Sequence, residues 1–102
     1  MQNKNTIKLS DLMAIEKVLL TVKEELFFTL SLNDILKLEK YIEEIGKITS
    51  MYFTLCSKFK ETHENVEEIN LYSSKLLYEQ IEYDTSDVAK FLLNIRMRSE
   101  IE

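Results

Sequence analysis

One glycine and no proline in a chain of 102 residues leave almost no means of building tight hairpins, phosphate-binding loops or irregular catalytic loops. Helices are the natural consequence. The strongest pattern agrees, since Ile35, Leu38, Ile42, Ile45, Thr49, Tyr52, Cys56 and Phe59 recur at alternating spacings of three and four. That is an a/d heptad register held for roughly 25 residues. Tyr41, Ile48 and Leu55 flank it and widen the stripe beyond a two-position edge, which suits packing against more than one neighbouring helix.

The ends of this helix are marked. Ser31 followed by Asp34 is a variant of the capping box, with the acid at the positive helix end. The polar run Glu61 to Asn65 reads as the closing turn, and Asn65 with Glu68 repeats the capping logic for a helix whose apolar face is Val66, Ile69, Tyr72, Leu76 and Leu77. The pattern therefore predicts an antiparallel hairpin of about 32–61 and 66–80 at the centre of a small, mainly α bundle. Gly46 lies inside the long helix, either as a point of close approach or as an ordinary tolerated glycine.

Shorter elements flank the hairpin. Leu12, Ile15, Leu19 and Val22 give a first helix capped by Ser10, and Val88, Phe91, Leu92 and Ile95 a last one capped by Asp84 or Ser86. Residues 24–30, with Phe27 and Phe28, are open between a short strand, a buried turn and a continued helix, and are expected to plug the core. Residues 6–9 read as a polar tail or a short strand, and 81–84 alternate as a short extended segment; the one β pair that the pattern leaves open is between 24–30 and 80–84. The chain reads as a single domain, 1–102, with residues 1–8 and 97–102 expected to fray.

Composition narrows the function classes. With 45% hydrophobic and 30% charged residues the chain has enough apolar material to fold. A net charge of -5 and no gathered Lys and Arg speak against nucleic acid, since Lys4, Lys8, Arg96 and Arg98 would have to converge. Charges interrupt every apolar run, so no membrane span is expected. The single cysteine and the lack of a signal-like N-terminus point to a reducing cytosol.

No motif for catalysis or a cofactor stands out. His63 lies beside Glu61 and Glu64, where a divalent ion has three candidate ligands but a solvated turn is the simpler reading. Cys56 falls on the apolar stripe, away from His63, and the pairs Glu24–Glu25, Glu43–Glu44 and Glu67–Glu68 point in different directions on a helix. Gly-rich loops, paired CxxC, HExxH and EF-hand loops are all missing. The sequence thus reads as non-enzymatic, with no cofactor, no metal and no small-molecule substrate.

What remains is interaction. Phe53 sits about 100 degrees around the helix from Tyr52, so it must meet another element of this chain or of a partner. The expected interaction stripe is Ile35, Leu38, Ile42, Ile45, Tyr52, Phe53 and Phe59, serving a protein partner or self-association.

The order IKLSDL at 7–12, LEKYIEEI at 38–45 and LLYEQIEYD at 76–84 resembles an uncharacterised family of small phage proteins. In that family a short first helix precedes a long charged helix and a C-terminal acidic-hydrophobic segment. The resemblance implies an accessory or assembly factor in the cytosol of a bacterial host, with no catalytic residues to carry over. The preference for Lys over Arg, with abundant Ile and Asn, is consistent with an AT-rich genome. The alternative reading is an inhibitor of a host or anti-phage defence enzyme, whose acidic surface occupies a basic nucleic-acid-binding channel.

Overall fold

The computed structural model describes residues 5–101. Strand β1 (Thr6–Lys8) leads into helix α1 (Leu9–Leu26), a 3-10 turn (Phe27–Thr29) and the long helix α2 (Leu32–Thr62). Helix α3 (Val66–Leu77), strand β2 (Gln80–Glu82) and helix α4 (Ser86–Ile101) follow. The two strands pair antiparallel, with Ile7 opposite Ile81. The fold is thus a mainly α bundle with one short β pair, as the sequence patterns lead one to expect, but the partner of Gln80–Glu82 is Thr6–Lys8 and not the segment 24–30, which stays helical.

Capping follows the local chemistry at three starts and departs from it at one. Ser31 Oγ accepts the Asp34 N–H at 3.1 Å, Asn65 Oδ1 accepts those of Glu67 and Glu68, and Asp84 Oδ1 accepts that of Ser86. Ser10 is not a cap. Helix α1 begins one residue earlier, behind an extended Lys8 without a side-chain cap, because the Leu9 N–H is taken by the Glu79 carbonyl at 2.9 Å. The sheet ladder anchors this helix end instead.

The core is assembled mainly across α1 and α2. Leu9, Leu12 and Leu19 of α1 meet Leu38 and Ile45 of α2, and Ile81, Val88, Phe91 and Ile95 close the other side. Each fully buried Leu or Ile contributes about 1.5 to 3 kcal/mol by leaving water. The expected α2–α3 hairpin forms, with Phe59 stacking on Tyr72 and Ser73 Oγ donating to Cys56 Sγ at 3.8 Å. Yet α3 is 12 residues long and buries none of them fully, so it covers only the last turns of α2. The partner along most of the α2 stripe is α1, and Val66, expected on the apolar face of α3, is exposed.

In the segment 24–30, left open between strand, turn and continued helix, the helix continues, but the expected role in the core is not met. Helix α1 continues through Leu26, and the 3-10 turn is sealed by the Leu30 N–H and the Thr29 hydroxyl, both donating to the Leu26 carbonyl. Its aromatic residues do not plug the core, for Phe28 is 96% exposed. Leu12, Leu19 and Leu26 keep seven-residue spacing on the packed face, which turns the two residues after Leu26 away from it. Of the ends expected to fray, residues 6–8 and 97–101 lie in β1 and α4, and residues 1–4 and 102 lie outside the described residues.

Candidate interaction face

The residues expected to form an interaction stripe divide sharply. Leu38 and Ile45 are fully buried, and Ile35, Ile42, Tyr52 and Phe59 are half-buried within the bundle. Leu38, Ile42, Ile45 and Tyr52 belong to the chain's own core, and Phe59 stacks on Tyr72 of α3. Only Phe53 remains on the surface, at 66% exposure. The stripe rests on its period, and a period reports that a face is covered without saying by what.

The apolar surface lies elsewhere, along one side of the α1–α2 pair and the turn that joins it. Leu20, Phe27 and Phe28 border a shallow depression with Lys23 and Glu24. Leu36 and Ile42 border a second with Glu39, Lys40 and Glu43. The ion pair from Lys23 Nζ to Glu39 Oε2, 2.6 Å, bridges the two, so they form one continuous face. Leu32 and Leu36, both more than half exposed, lie on the α2 part of it, and Phe27 meets Phe28 edge-on with ring centroids 5.3 Å apart. Seven-residue patterning missed this face because all its apolar members but Ile42 fall outside the main stripe; the FF pair beside a helix start was the signal available.

The opposite end of α2 carries an aromatic column. His63 stacks on Phe59 at 3.8 Å, and Phe59 stacks in turn on Tyr72 at 4.1 Å. His63 Nδ1 lies 2.8 Å from the Thr62 hydroxyl and 3.0 Å from the Phe59 carbonyl, so the imidazole closes the helix C-terminus locally. Among the described residues no three His, Cys, Asp or Glu side chains gather as a metal-holding group. Cys56 is half-buried rather than fully enclosed.

Electrostatic contacts among the described residues tie the helices together. Arg98 donates to Asp34 at 2.8 Å and ties the end of α4 to the first turn of α2. Burial of Asp34 favours its neutral form, but the bonds from Arg98 and Ser31 outweigh this and hold the carboxyl below its ordinary value. Tyr83 donates to Glu44 at 3.3 Å. Burial first, then the Glu44 carboxylate, push the Tyr83 phenol up to about 12. Lys8 sits over the Tyr78 ring at the start of α1, the length of that helix away from Asp34 and Arg98, so these two basic groups do not converge. Among the described residues no helix is long and apolar enough to cross a membrane. Compared with protein-family models, with curated proteins and with solved structures, the chain matches none.

Proposed function

We propose that this chain is a small, acidic, non-catalytic interaction protein that binds another protein surface through helix–helix contacts, in the accessory or assembly role that the resemblance to small phage proteins implies. The observation that carries the reading is the α1–α2 face. Phe28 in the 3-10 turn and Leu32 and Leu36 on the capped helix α2 stand in water, where leaving them exposed has no structural benefit. Aromatic and Leu side chains on a helix edge, rimmed by Lys and Glu, have the make-up of an apolar interface centre with a polar margin.

The alternative, an inhibitor that fills a basic channel, draws on the exposed Glu61, Glu64, Glu67 and Glu68 around the α2–α3 turn. Capture with the tagged full-length chain from a low-GC bacterial lysate, at low and high salt, separates the two. Salt-resistant capture that a Phe28→Ser, Leu36→Lys variant loses supports the apolar face. Capture that high salt abolishes and the variant retains supports the acidic surface instead.

A further inference from the structure

We infer that the occupant of the α1–α2 face is a second copy of this chain, so that the protein pairs about a twofold axis through the Phe28, Leu32 and Leu36 region. This inference rests on the interaction reading above and names its partner.

The first argument is area. A folded monomer of 12.1 kDa exposes about 6,000 Å², whereas this chain exposes 7616 Å². That surplus, about 1,600 Å² on one chain, exceeds the about 800 Å² that each partner buries in an interface of standard size. The dimensions agree: the radius of gyration is 16.6 Å, against about 13 Å for a compact domain of this length. A thin, elongated bundle is missing a layer, and the side of α1 and α2 that carries Leu20, Leu32 and Leu36 is where apolar side chains wait for one.

The second argument is charge. A twofold contact sets one patch against itself, so the patch must present both signs. Here Lys23 and Lys40 alternate with Glu24, Glu39 and Glu43 around the apolar centre. A face made for a strongly basic or acidic partner would carry one sign. Two lysines and three glutamates leave this face close to neutral, and most of the net charge of -5 lies on other surfaces, including the acidic residues of the α2–α3 turn.

The test is sedimentation of the purified full-length chain from micromolar to submillimolar concentration, beside the Phe28→Ser, Leu36→Lys variant, with helicity followed by circular dichroism. Both positions are exposed in the monomer, so the variant keeps the fold. The expected result is twice the 12.1 kDa chain mass for the parent and the single mass for the variant, at equal helicity. A variant that stays dimeric overturns pairing through this face. A parent that stays monomeric overturns self-pairing altogether. In that case binding of the dye ANS, lost in the variant, keeps the face as a docking site for another protein, whereas no binding to either removes the interaction reading as well.

Discussion

The hydroxyl of Thr49 on α2 lies 3.1 Å from the carboxylate of Glu16 on α1, joining the two main helices through the one buried polar side chain among the described core residues. The same hydroxyl has the Gly46 carbonyl at 3.2 Å as a second acceptor, so its proton is satisfied with either. Thr49→Val removes the donor while keeping the volume. Because Glu16 is only half-buried and can turn to water, the cost is about 1 kcal/mol. Urea unfolding should show a lower midpoint with an unchanged slope.

Gly46 carries no close helix approach. A Cβ built there meets only the Glu16 Oε2 atom, at 3.4 Å, and the backbone has ordinary negative φ. Gly46→Ala should therefore stabilise the protein by up to about 1 kcal/mol, through helix propensity alone. A rise in thermal midpoint of roughly 4 to 8 °C is the expected reading for a chain of this size. A fall would show that the glycine is needed for packing.

The core seam and the surface differ in what a charge does to them. Ile45→Asp places a carboxylate where no water reaches and should abolish the cooperative transition. Phe53→Asp, at the exposed member of the expected interaction residues, should leave helicity and stability within about 0.5 kcal/mol of the parent. Circular dichroism during denaturation distinguishes them directly.

Two ionisable groups give the stability a pH signature. Asp34 has its folded-state pKa below the ordinary 3.8, so its contribution is present above 3.8 and lost as pH falls through the folded value. The stability gap between the parent and Asp34→Asn should hold at neutral pH and close in acid. Tyr83 runs the other way: its pKa is raised from 10.0 to about 12, so its contribution is intact below 10 and lost as pH rises through the folded value. Among the five tyrosines an ultraviolet titration should show a late step near 12, missing from Tyr83→Phe.

Local chemistry made much of this fold legible. Ser31 and Asn65 announce helix starts because a side-chain oxygen must accept an otherwise unpaired N–H, and both do so. The a/d spacing of Leu38, Ile45 and Thr49 marks buried positions for an equally direct reason. Two things escaped. Which helix covers the stripe is a matter of tertiary choice: α3 follows α2 in sequence, but α1 is longer and brings Leu12 and Leu19 to it. The exposed α1–α2 face escaped because apolar residues such as Phe27 and Phe28 carry no label saying whether they point inward, and the turn geometry after Leu26 decides it.

Site-specific photocrosslinking of the full-length chain in bacterial cells tests the central claim most directly. A photoreactive residue replaces Phe28 or Leu36 on the α1–α2 face, and Glu61 or Glu67 on the acidic turn. Discrete adducts from positions 28 and 36, with none from 61 and 67, are the expected result. Adducts confined to 61 and 67 would contradict the account and move the binding surface to the acidic end of α2.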